Sequence, residues 1–242
     1  MSTFPTLVAE LLRADAARPL VTFYDDATGE RIELSVATYA NWVSKTAGLL
    51  QDELDAERGG LLLVHLPTHW LGAVWLGAAW TLGMRVTDDP AAVGSADVVV
   101  CGPDGVQRYA GAAGDVPVVA LSLRPLGGRF TEPLPTGVVD YGSVVLAQPD
   151  LFTPYDAPDG TDLAWDEDGA TWEALLAAAA ADDLVGPGGR LLTDANPCTR
   201  SGLRTLLVPL ARGGAAVWVR HSDRDRWAKR ATDERATAEL QA

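Results

Sequence analysis

Three consecutive carboxylates, Asp166, Glu167 and Asp168, form the densest cluster of potentially reactive side chains in this chain. They stand in Trp165-Asp166-Glu167-Asp168-Gly169. Adjacent acids on one turn have two readings: a divalent-cation site, or a solvated acidic turn whose charge suits the N-terminus of the helix that follows. The expectation is the solvated turn, capping the helix that begins near Thr171. Cys101 and Cys198 lie far apart, with neither metal-ligand spacing nor a disulfide framework, and read as buried apolar fillers. His65 and His69 flank Pro67, which breaks regular spacing between them, and no nearby acid would orient either ring. His221 is expected at a strand end, with Ser222 capping the charged helix after it. Gly186-Pro187-Gly188-Gly189-Arg190 lacks the Lys-Ser/Thr of a phosphate loop and reads as a helix-terminating turn.

The elements that must position these groups alternate. Leu7, Leu11 and Leu12 mark an opening helix over 6–16, and Val21-Thr22-Phe23-Tyr24 with Arg31-Ile32-Glu33-Leu34 marks a hairpin turning at Asp26 to Gly29. Ser35 caps a helix through Tyr39, Trp42 and Leu50. From Gly59 to Met84 there is no charged residue, yet Pro67 divides the stretch into a buried strand over 61–66 and an apolar helix over 70–82. Such a helix is about 20 Å long, short of a bilayer core. Further strands are expected at 98–100, 116–121, 191–192 and 216–219, with a helix over 171–181. Near-continuous apolar strands separated by helices predict a parallel sheet covered on both faces. The expected organisation is a first α/β lobe over 1–124, a Pro/Gly-rich crossover over 125–158 and part of a second lobe over 159–242, together one compact unit.

Composition narrows the function classes. The 242 residues carry 19 basic and 33 acidic side chains, a formal charge of -14, which opposes nucleic acid and anionic membrane surfaces. The N-terminus lacks the basic start and apolar core of a secretory signal, so the expected setting is cytoplasmic.

Leu34-Ser35-Val36-Ala37-Thr38-Tyr39, the run Gly60 to Trp70 followed by Gly77 to Val86, and Gly189-Arg190-Leu191-Leu192 with Leu207 to Val217 together resemble the N-terminal domain of the adenylate-forming superfamily, which includes acyl-CoA synthetases, luciferases and nonribosomal adenylation domains. Thr232 to Thr237 looks like the approach to that family's next strand. The resemblance implies a layered α/β parallel-sheet fold without the C-terminal lid domain. It also implies that a Ser/Thr/Gly-rich loop ending in Pro-Lys-Gly should hold ATP phosphates, where this chain has Asp166, Glu167 and Asp168. The later glutamate-containing motif, the ribose-binding aspartate and the lid lysine lie beyond the matched region. A remnant pocket is implied at Trp165, Asp166, Asn196, Thr199 and Gly202, with Thr199 where many relatives place an aromatic residue or histidine. The expectation is therefore a non-catalytic ligand-binding or partner module. No cofactor is predicted; weak ATP, AMP or acyl binding is allowed. The alternative is a carboxylate-activating enzyme completed by another chain. The strand near Val217 should also be left at a sheet edge, covered either by the terminal segment with Trp227 and Leu240 directed inward or by a second copy or protein partner; association is the preferred reading.

Overall fold

The computed structural model describes residues 3–242. In chain order the elements are α1 (Phe4–Asp15), β1 (Pro19–Asp25), β2 (Glu30–Ser35), α2 (Val36–Gly48), β3 (Leu61–His65), α3 (Trp70–Leu82), β4 (Arg85–Thr87), β5 (Val98–Cys101), α4 (Val106–Tyr109), β6 (Val118–Ala120), β7 (Val138–Asp140) and α5 (Tyr141–Val144). They continue with β8 (Leu163–Trp165), β9 (Ala170–Thr171), α6 (Trp172–Ala181), β10 (Arg190–Thr193), α7 (Arg204–Ala211), β11 (Ala215–Arg220), α8 (Arg224–Asp233) and β12 (Ala238–Leu240).

Two sheets share the chain. One has the order β12-β10-β11-β1-β2, parallel except for the β1–β2 hairpin; the other has the order β7-β6-β5-β3-β4-β8-β9, parallel except for β8–β9. The uncharged stretch after Gly59 becomes the central strand β3 and the helix α3, as its pattern requires. Leu61 to Leu63 are at most 1% exposed, and twelve of the thirteen α3 residues are buried. Close packing of α2 on α3 depends on Gly77, where a methyl group would meet the Tyr39 hydroxyl at 2.5 Å. Of the expected domain segments, 1–124 contributes to both sheets. Segment 125–158 supplies β7, and 159–242 supplies β8 and β9 to the seven-stranded sheet and β10 to β12 to the other.

Several expectations are corrected. Strand β11 lies inside its sheet between β10 and β1, so the exposed edge foreseen near Val217 is elsewhere, at β12 and β2. The charged terminal segment is not one helix: α8 ends at Asp233, and β12 then pairs in parallel with β10. Trp227 packs on Leu192, Val217 and Val219, while Leu240 sits in β12. Asp223, not Ser222, caps α8, accepting from the Asp225 amide. The 186–190 turn does not end α6, which stops at Ala181; it feeds β10, with the Gly188 amide donating to the Arg212 carbonyl at 2.8 Å. Among the described residues no helix is long and apolar enough to cross a membrane.

Candidate ligand-binding site

The acidic turn joins β8 to β9 as a tight hairpin, and the cap of α6 is the Thr171 hydroxyl, which accepts from Ala174. This overturns its expected role as a helix cap. Nor is it simply solvated, since each carboxylate has its own partner. Asp166 faces Arg85 at 3.2 Å, and Asp168 pairs with Arg200 at 2.7 Å. Glu167 accepts from the Thr87 hydroxyl and from the Asp88 and Asp89 amides at 3.2 and 3.3 Å. Burial works to raise the Asp168 carboxyl, but the Arg200 hydrogen bond and charge hold it below its ordinary range. Three of the turn's amides are also spent: Asp166 donates to the Val86 carbonyl, Gly169 to the Asp166 carbonyl and Ala170 to the Asp168 side chain. Among the described residues no cluster of three His, Cys, Asp or Glu side chains could hold a metal ion.

Beside the hairpin, the carboxyl ends of β3, β4 and β5 enclose a cleft of about 360 Å³. It opens where strand order reverses, β4 lying on one side of β3 and β5 on the other. Open α/β sheets bind ligands at such a point because the connecting loops diverge there. Leu66, Pro67 and Pro90 give apolar walls, and His65, Asp88 and Asp104 give polar ones. Burial, with Arg108 adding repulsion, holds His65 below the ordinary imidazole range, so it is a neutral donor and acceptor near pH 7. Burial and then the Glu167 charge raise the Asp88 carboxyl. Gly105 keeps the β5 loop close: a methyl there would meet the Cys101 Cβ at 2.7 Å and His65 at 3.3 Å.

The floor is the loop after β10. The Asn196 side chain donates to the Leu66 carbonyl at 2.8 Å and accepts from the Cys198 amide at 3.0 Å; the Thr199 hydroxyl donates to the Asn196 carbonyl and accepts from the Gly202 amide. Of the expected pocket residues, Asn196, Thr199 and Gly202 therefore share one loop, and Asn196 and Thr199 line the cleft. Asp166 belongs to the hairpin, and Trp165 is fully buried in the core. Asp88 and the Gly102–Gly105 loop were missed. The Asp88-Asp89-Pro90 turn directly after a strand was the available signal for the first.

The remaining candidates separate. His69 is buried against Phe23 and caps α3 through Nδ1, whereas His65 stacks edge-on with Tyr109 at the cleft. Burial pushes the Cys101 thiol up to about 12 and raises Cys198 as well, so neither is a ready nucleophile. His221 follows β11, its Nδ1 2.8 Å from Asp25.

No family model matches the chain. A Mycobacterium tuberculosis (strain ATCC 25618 / H37Rv) protein described as a TIGR03089 family protein is 38% identical over 240 residues, covering 95% of this chain and 94% of its own. Among solved structures, Brucella canis acyl-CoA synthetase superposes with a TM-score of 0.80 at 18% identity, over 97% of this chain and 47% of that one. The anthranilate CoA ligase AuaEII in complex with anthranoyl-AMP gives 0.74 at 11% identity, over 99% and 49%. The N-terminal domain of FACL13 from Mycobacterium tuberculosis gives 0.73 at 14%, over 98% and 62%. These likenesses establish the fold, a mixed α/β arrangement matching the N-terminal portion of adenylate-forming ligases. The sequence match establishes the kinship: the chain belongs to the TIGR03089 family.

Proposed function

We propose that this chain is a ligand-binding module on the adenylate-forming fold that does not itself activate carboxylates. The carrying observation is the 166–169 hairpin. Holding a nucleotide triphosphate takes hydroxyls, free amides and a cation aimed at the phosphates. This turn instead presents the carboxylates of Asp166, Glu167 and Asp168, and the amides of Asp166, Gly169 and Ala170 are already bonded within the protein. Arg85 and Arg200, the neighbouring cations, are engaged by Asp166 and Asp168.

The adjacent cleft remains suited to a small organic ligand. Its apolar walls, neutral imidazole and two carboxylates favour an uncharged acyl or nucleoside-like body over a polyphosphate. Purified protein should show no carboxylate-dependent ATP–pyrophosphate exchange and only weak ATP binding. Robust exchange with any fatty or amino acid would overturn the proposal. Native mass spectrometry of protein taken from its own cells would identify what the cleft retains.

A further inference from the structure

The chain's 19 basic side chains are nearly all committed. Fourteen of them hydrogen-bond or ion-pair within the protein. Of the other five, Arg108, Arg124, Arg129 and Arg235 are exposed. Arg220 differs. It is half-buried at the carboxyl end of β11, and its guanidinium has no hydrogen-bond or ion-pair partner among the described residues. Asp25 lies opposite it in the β1–β11 register and feels its charge, but comes no closer than that, so the guanidinium's donors stay open to the cleft.

Its surroundings fit an anion. Arg220 lines an open cleft of about 510 Å³ over the ends of β10 and β11, separate from the His65 cleft though sharing Pro67 and Asn196 with it. His221 lines the same cleft, and its Nδ1 is tied to Asp25 at 2.8 Å, leaving Nε2 without a protein partner. That bond fixes the ring, as an outer carboxylate fixes a liganding histidine. The His221 backbone is left-handed at φ 51, a strained setting for a residue with a side chain. Ser222 also lines the cleft, and its hydroxyl is buried without a partner.

The carboxylates nearby are already engaged. Asp25 accepts from His221 and from the Ala27 amide at 2.9 Å. Asp194 accepts from the Ala242 amide at 2.7 Å and faces Arg224 at 3.6 Å. Neither bonds to Arg220.

We propose that this cleft binds a small oxyanion, the carboxylate or phosphate group of a ligand, on the Arg220 guanidinium, with His221 Nε2 and the Ser222 hydroxyl as further donors. A planar guanidinium fork matches either group. This site stands apart from the ligand proposed for the His65 cleft, and its test does not depend on that reading.

The test is an NMR titration of the isotope-labelled full chain with inorganic phosphate and, separately, with acetate, chloride holding ionic strength constant. The Arg220 Nε–H and Ser222 amide resonances should move saturably with at least one of them. Saturation by phosphate alone or acetate alone supports the site and identifies which oxyanion it takes. Arg220→Gln should weaken binding roughly tenfold or more, His221→Gln by less, and Arg108→Gln not at all. Arg220→Lys, which keeps the charge but loses the fork, should fall between. Shifts that rise linearly without saturating for both anions, or an Arg220→Gln variant that titrates like the parent, would overturn the proposal. The wild-type titration decides the question even if the Arg220 variants fail to fold.

Discussion

Arg230 on α8 reaches across the sheet to Asp26, its guanidinium bonded to both carboxylate oxygens, one at 3.1 Å, with the two side chains only 8% and 5% exposed. The same carboxylate accepts from the Asp223 amide at 2.8 Å, and the Arg230 guanidinium lies 4.6 Å from the centre of the Tyr24 ring. The terminal helix is thereby fastened to the turn of the N-terminal hairpin. Asp26→Ala leaves a buried guanidinium unpaired and should cost about 3 kcal/mol in urea unfolding. Lys229→Ala, which removes an exposed pair with Asp233, should leave stability unchanged within error.

A second prediction concerns pH. Burial, helped by the Arg220 charge, lowers the His69 pKa to about 3, against an ordinary value of 6.5. The unfolded chain therefore binds a proton that the folded chain refuses between those values. Stability is fully present above pH 6.5 and falls as acid is added, by on the order of 4 kcal/mol at pH 3. His69→Asn keeps a capping side chain without the titration. Its stability, measured by denaturant unfolding from pH 7 to 4, should fall less steeply than the parent's.

The hairpin makes a third. Because Glu167 contributes to the raised Asp88 carboxyl, Glu167→Gln should bring Asp88 partway back toward the ordinary range. Carbon-detected carboxyl titration reads this directly. An unmoved Asp88 would mean that burial alone holds it.

At the floor of the cleft, a methyl on Gly202 would fall 1.9 Å from the Asn196 carbonyl oxygen. No side-chain motion relieves a clash with backbone. Gly202→Ala should cost about 1–3 kcal/mol and displace the loop that seats Asn196 and Thr199, visible as changed amide shifts over 194–202.

Leu63 tests the core. It is fully buried in the central strand against Val99, Val118 and Tyr109. Leu63→Ala should lose about 2–5 kcal/mol, and Leu63→Asp should yield no soluble protein.

Much of this architecture was legible because long apolar runs leave little choice: 61–66 and 70–82 had to be strand and helix, and Pro67 had to part them. The short pieces were not. Val138–Asp140, Ala170–Thr171 and Ala238–Leu240 are three residues or fewer, and each is made a strand by the partner it meets. Ala238-Glu239-Leu240 follows the segment that resembles the approach to a further strand, but nothing in its three residues names β10 as the partner. The candidate sites fared likewise. Asp166 to Asp168 stood out as a cluster, but their partners Arg85, Thr87 and Arg200 come from two other segments. His65, Asp88 and Asp104 meet only at the strand ends, and nothing beside Arg220 in sequence reveals that it makes no ion pair.

The pairing of Val21 with Ala216 sets a schedule for synthesis. Leu20, Val21 and Phe23 leave the ribosome early, yet the strand that covers their edge emerges only after almost the whole chain, a delay on the order of 10–40 s at ordinary elongation rates. Strands β3 to β6 lie within 61–120 and can assemble meanwhile. The nascent N-terminal hairpin waits with an open edge, so crowded or chaperone-poor expression should produce aggregates seeded by residues 19–35.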